Sequence, residues 1–148
     1  MNDRYLFKAK RLDNGEWIIG SLIQNPFFKG VRSWISSEQE DKTRLKSISR
    51  TQALWNSIEV DSTTICQCTG LKDNNGNLIW ENDIANCLTE ECGGYICWNE
   101  SEAGFYFNVL LEDGTYEEEH IYDYVDCMDV IGNIFDNPEL LESEESNI

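Results

Sequence analysis

No stretch of this sequence comes near the roughly 18–20 uninterrupted apolar residues that a membrane-spanning helix needs. The opening Met1-Asn2-Asp3-Arg4-Tyr5 leads into alternating residues and not into the apolar core of an export signal. A soluble cytoplasmic protein with no membrane span is the expectation. Histidine is almost missing, with His120 the single one in 148 residues. A Ser–His or Cys–His pair could draw only on that residue. It stands in a charged strand and reads as an ordinary exposed histidine. Also lacking are a glycine-rich phosphate loop, a G-x-S-x-G turn, an H-E-x-x-H helix and a C-x2-C knuckle. No catalytic, cofactor-binding or metal-ligating residue is therefore assigned, no cofactor is expected, and the chain is read as not an enzyme.

Basic residues are scarce after residue 50. Residues 1–50 hold ten of the 11 Lys and Arg against six acidic residues, a net +4. Residues 51–148 hold only Lys72 against 22 acidic residues, a net −21. A nucleic-acid binder carries a basic footprint, so this balance argues against nucleic acid as a partner. The asymmetry instead suggests two electrostatically distinct lobes.

Apolar and aromatic material is plentiful. Hydrophobic residues make up 41% of the chain, with five Trp, enough for a core in one domain or two small packed lobes. Trp17, Trp34, Trp55, Trp80 and Trp98 could stack on bases. Without a cationic groove they read as core or subunit-interface residues.

Hydrophobic alternation marks the strands. Residues 4–12 and 16–23 flank Asp13-Asn14-Gly15, and Asn-Gly tolerates the positive φ of a tight turn. A hairpin follows, with Tyr5, Phe7 and Ala9 on one face and Lys8 and Lys10 on the other. Asn25-Pro26 breaks the pattern before the aromatic patch Phe27-Phe28. Residues 31–35 suit a strand, and the polar residues 38–52 a loop or short surface helix. Further strands are expected at 58–60, 63–68, 78–80, 94–98, 105–111, 115–121 and 129–135. Glu112-Asp113-Gly114 signals a second hairpin. Asn137 and Pro138 suit the cap and first position of a short helix, and residues 142–148 an acidic, frayed tail. Short strands between turn signals indicate a β-rich fold of small barrels or sandwiches.

Three further patterns invite chemistry. Cys66 and Cys68 would point to one side of a strand, while Cys87, Cys92 and Cys97 recur every five residues. Some combination of these five could bind structural zinc. The plainer reading is reduced cysteines used as small hydrophobes. Asp73-Asn74-Asn75-Gly76 has Gly at the fourth position, where a calcium loop wants it at the sixth, so a type I or I′ turn is expected. The carboxylate pairs Glu81 with Asp83 and Glu90 with Glu91, and the run Glu117-Glu118-Glu119, would need a cleft for acid–base work. The run reads as a solvated strand edge.

Three segments together resemble the YopX family of bacteriophage and prophage proteins. They are Phe7-Lys8-Ala9-Lys10-Arg11-Leu12-Asp13-Asn14-Gly15-Glu16-Trp17 with Gly20, Gln67-Cys68-Thr69-Gly70-Leu71-Lys72-Asp73-Asn74-Asn75-Gly76 continuing to Trp80-Glu81-Asn82-Asp83-Ile84, and Val130-Ile131-Gly132-Asn133-Ile134-Phe135-Asp136-Asn137-Pro138-Glu139-Leu140-Leu141. Cys68 departs from the aromatic usual there. Asn82 replaces the usual Gly, and Asn is the next best residue for a left-handed turn. The resemblance implies a mostly β fold, with an N-terminal β lobe, a C-terminal small SH3-like barrel and a short C-terminal helix. It also implies a phage-encoded origin in a host cell, and it supplies no catalytic residue to carry over. The expected division is 1–57 for the N-terminal lobe, 58–141 for the barrel-like lobe and 142–148 for the tail.

The leading functional expectation is an accessory protein acting by protein–protein contact, as a homo-oligomer or with an unidentified host or phage protein. The alternatives are an acidic nucleic-acid mimic that binds a DNA-binding protein, and a zinc-stabilised binding module.

Overall fold

The computed structural model describes residues 3–25, 31–37 and 57–142. Strands dominate: β1 (Phe7–Lys10), β2 (Trp17–Asn25), β3 (Arg32–Ser36), β4 (Ile58–Val60), β5 (Cys66–Lys72), β6 (Leu78–Trp80), β7 (Asp83–Cys87), β8 (Cys92–Asn99), β9 (Gly104–Leu110), β10 (Tyr116–His120) and β11 (Met128–Asn133). The mostly β expectation holds. No helix among the described residues is long and apolar enough to cross a membrane. The aromatic patch Phe27-Phe28, the segment 38–52, Trp55 and the tail from residue 143 lie outside the described residues.

The chain divides into two compact units, Met1–Cys68 and Thr69–Ile148. The division falls within β5, and β4 is hydrogen-bonded to β3 in the first unit. In the first unit the strands run β4-β3-β2-β1 and then the first residues of β5, Cys66–Cys68, each neighbouring pair antiparallel. The expected first hairpin is present, with Phe7 opposite Gly20 and Lys10 opposite Trp17. Its turn closes by Arg11 N–H to Glu16 O at 2.9 Å and Gly15 N–H to Arg11 O at 2.9 Å. The positive φ, 74°, falls on Gly15, the residue that meets it without a Cβ clash. Ala9 is buried, but Tyr5, expected on the same face, sits in a 3-10 turn (Asp3–Tyr5) and is exposed. Alternation along β1 and β2 delivers Ala9 and Ile18 to a small core shared with Ile35 and Val60.

The second unit has its own core of Ile79, Ala85, Ile96, Phe107, Ile121 and Met128, all at most 2% exposed. Five antiparallel strands run β10-β9-β8-β7-β11. Among the described residues the small SH3-like barrel expected here does not close: the sheet is open, with β10 and β11 as its edges. Two features keep those edges apart in character. Along β10 run the exposed Glu117 and Glu118, and β11 shifts register between Val130 and Gly132, a bulge that bends an edge strand.

The expected C-terminal helix reduces to one 3-10 turn, Pro138–Leu141. Asn137 holds the cap position with Pro138 next, yet its side chain makes no cap hydrogen bond. Its Oδ1 turns back to accept from Asn133 N–H at 3.2 Å. A Cβ on Gly132 would lie 2.5 Å from that oxygen, so the backbone must be bare there. Asn133 Oδ1 in turn accepts from Phe135 N–H at 3.0 Å and Asp136 N–H at 2.9 Å. This motif spends its polar groups on its own bend.

Candidate interaction surface

The Asp73 loop is a structural staple. Asp73 Oδ1 accepts from Asn75 N–H and Asn77 N–H, each at 2.9 Å. Its Oδ2 accepts from Val130 N–H at 3.1 Å. Burial raises the cost of ionising this carboxyl, but the Asn77, Val130 and Asn75 amides outweigh it and hold the pKa below the ordinary 3.8. Gly76 N–H donates to Asp73 O at 3.1 Å, which closes the turn expected in place of a calcium loop.

The Trp80–Asp83 turn is similar in kind. Asp83 is buried, and its Oδ2 accepts from Trp80 N–H at 2.8 Å. Asn82 takes φ 71°, the left-handed geometry for which Asn substitutes for Gly. Asn82 N–H donates to Ile96 O at 2.8 Å, and Ile134 N–H donates to Asn82 O at 3.0 Å. Of the pair Glu81 and Asp83, the Asp83 carboxylate is thus engaged by the turn's own backbone.

The cysteines part company. Cys87 and Cys127, 40 residues apart, form a disulfide with Cα atoms 5.1 Å apart. This corrects the expectation of reduced thiols throughout, and Cys127 was outside the five residues weighed for zinc. Cys66 and Cys68 are buried thiols, as one-sided strand residues should be, and Cys66 S–H donates to Thr64 O at 3.3 Å. Burial, then Glu90 and Glu119, pushes the Cys92 thiol up. Burial, then Glu118 and Glu81, pushes Cys97 up to about 11. Zinc ligation needs thiolates, and these surroundings oppose them. Among the described residues no three His, Cys, Asp or Glu side chains gather where they could hold a metal ion.

Two indoles near cations belong to the first unit. Lys8 and Lys10 Nζ lie 4.9 and 5.5 Å from the Trp17 ring centroid, and Arg32 lies 5.2 Å from that of Trp34. Trp80 is buried, and Trp98 is half-exposed edge-on to Phe105 at 4.9 Å.

What remains on the second unit is a surface. Register places Tyr95 and Cys97 of β8, Tyr106 and Asn108 of β9, and Tyr116, Glu118 and His120 of β10 on one sheet face. Tyr95 meets Tyr116 edge-on at 5.3 Å, and Asn108 Nδ2 donates to Tyr95 Oη at 2.8 Å. His120 is exposed, its ring 5.1 Å from that of Tyr106. Asn99 Nδ2 donates to Glu118 Oε2 at 2.8 Å. Burial, then Glu102 and Glu118, raises the Tyr106 hydroxyl pKa, so it stays a donor at neutral pH. Across from Tyr116 stands Leu110, which opens onto a cleft of about 500 Å³. Leu110, Leu111, Leu140 and Leu141 line it, and Glu91, Glu112 and Glu142 add carboxylates. Apolar walls beside carboxylates suit a cationic, partly apolar segment and repel phosphate.

The YopX protein family matches residues 6–142. The chain belongs to this family. The match takes in the Asp73 loop, the Asn82 turn and the Gly132–Asn137 bend, whose side chains satisfy backbone groups. The resemblance stated on those segments is therefore confirmed at the level of the family, and a YopX domain occupies both units. No curated protein matches the chain.

Sequence reading missed the tyrosine face and the cleft. Period-two alternation marks Tyr95, Tyr106 and Tyr116 only once strand register is known. The cleft collects residues from 86 to 142.

Proposed function

We propose that this YopX-family chain is a non-catalytic phage-type accessory protein that self-associates through the second unit's tyrosine face and leucine cleft, with the first unit of another copy as occupant. Supporting this reading above all is the acid-lined cleft, because the complementary charge is carried by the same chain. The first unit holds ten basic and eight acidic residues, and the second holds Lys72 against 20 acidic ones. Opposed charge steers association and fixes register, while buried aromatic and aliphatic anchors supply the affinity. Light scattering across protein concentration tests it, at about 50 mM and about 500 mM salt to span weak and strong screening. Dimers or larger species that Leu140→Glu and Tyr116→Ala both weaken are expected. A monomer at every concentration overturns the reading.

A second reading rests on the same 20 carboxylates, with Lys72 the single basic residue among them. The second unit imitates a nucleic-acid backbone and occupies the basic groove of a DNA-binding protein of host or phage. It calls for salt-sensitive displacement of DNA from such a protein. Unchanged DNA retention by the DNA-binding proteins of a host extract, at low salt and excess chain, removes it.

A further inference from the structure

We propose that Cys87, Cys92 and Cys127 form an internal disulfide relay, in which the Cys92 thiolate displaces Cys127 from Cys87. Two separate observations carry it. The bond present joins Cys87, at the end of β7, to Cys127, just ahead of β11. The register of β7 with β8 sets Cys92 directly opposite Cys87. Opposed residues of an antiparallel pair project from the same face, with Cα atoms about 4.5–5.5 Å apart. Disulfides form across Cα separations of roughly 4.4–6.8 Å. One sulfur, that of Cys87, thus has two partners within bonding reach.

The step is an exchange. The minor thiolate fraction of Cys92, kept small by burial and by Glu90 and Glu119, attacks the Cys87 sulfur, and the new S–S bond forms as the bond to Cys127 breaks. The electron pair leaves on the Cys127 sulfur, which takes a proton in place of the one Cys92 released to water. One disulfide stands before and one after, so no oxidant or reductant is consumed. The departing thiol has an acceptor in place: Tyr124 O lies 3.2 Å from Cys127 Sγ.

The two bonds do different things to the fold. Cys87–Cys127 fastens the segment before β11 to the end of β7. Cys87–Cys92 releases that segment and locks the β7–β8 hairpin. Cys87–Cys127 is the bond the fold carries, so it is the majority form. Cys92 also lines the leucine cleft, so the exchange alters a wall of that cleft. This goes beyond the proposed association and stands without it.

The test is disulfide mapping of the full chain by mass spectrometry, after acid quench and digestion without reduction. Cys127→Ser, oxidised with glutathione disulfide, is expected to yield a Cys87–Cys92 peptide and at least a tenfold loss of maleimide labelling at Cys92. Cys92 still labelled, with Cys87 recovered as its glutathione adduct, overturns the relay. Should circular dichroism show that variant unfolded, wild-type protein in a glutathione redox buffer decides. Both bonded peptides are expected there, Cys87–Cys127 in excess and Cys87–Cys92 lost in Cys92→Ser. Recovery of Cys87–Cys127 alone overturns the proposal.

Discussion

Asp73 and Val130 are 57 residues apart in sequence, and the carboxylate of one accepts the backbone N–H of the other at 3.1 Å. A turn that looks self-contained is thereby pinned to an edge strand. The neighbouring Asn74 N–H to Met128 O at 2.9 Å makes the attachment double.

Replacing this carboxylate should cost more than losing a surface turn. Asp73 serves three amides, and hydrogen bonds to a charged group contribute roughly 1.5–3 kcal/mol. Asp73→Ala is expected to lower the free energy of unfolding by about 3 kcal/mol, leaving three part-buried amides without this acceptor. Urea unfolding at neutral pH measures it.

The same residue sets a pH dependence. Its folded pKa lies below the ordinary 3.8, so the unfolded state binds the proton more tightly. Its stabilising contribution is complete above pH about 4 and is lost as pH falls through the lower, folded value. Wild-type stability should fall in that acid window, and the gap between wild type and Asp73→Ala should narrow there. A gap that stays constant down to pH 2.5 would contradict the assignment.

Asn82 offers a cleaner backbone test. At φ 71° an L-residue with a Cβ is strained, by about 1–2 kcal/mol for most side chains. Asn82→Gly should match or slightly exceed wild-type stability, while Asn82→Val should lose about that amount. Thermal melts of the three proteins separate the outcomes.

The disulfide should matter to stability. Closing a loop of 40 residues is worth up to roughly 4 kcal/mol by the chain-entropy relation. Dithiothreitol is expected to move the urea midpoint downward by a corresponding amount, and Cys97→Ser should respond to dithiothreitol as wild type does.

Cys97 should be slow to react. With the thiol pushed up to about 11 from 9.0, it carries about 100-fold less thiolate at pH 8 than an ordinary thiol. Glu118→Gln removes one source of that shift and should hasten maleimide labelling. Peptide-resolved labelling kinetics read both rates.

Legibility followed range along the chain. The Asn14-Gly15 and Asp113-Gly114 hairpins were readable because turn chemistry is written in adjacent residues, and the left-handed Asn82 because the family resemblance has Gly there. So was the one-sided burial of Cys66 and Cys68. The Cys87–Cys127 bond was not, because it depends on how β7 and the approach to β11 are paired. Asn137 holds the expected cap position, but the use of its side chain was not readable, for a related reason. Its residue type suits a helix cap, yet Asn133, four residues back, offered an N–H that the bend needed satisfied. The barrel failed to appear because strand count and alternation do not say whether the outer strands meet.

The acid edge has a practical consequence for anyone handling the protein. Among the described residues β10 has a neighbouring strand on one side only, and such an edge invites other chains to add on. Like charge between two such edges, from Glu117 and Glu118, keeps edge from pairing with edge at neutral pH. Near pH 4.2, the isoelectric point of the sequence, that repulsion fades. Acid precipitation and fibre growth are then expected to start from this edge, so purification and storage belong well above that pH.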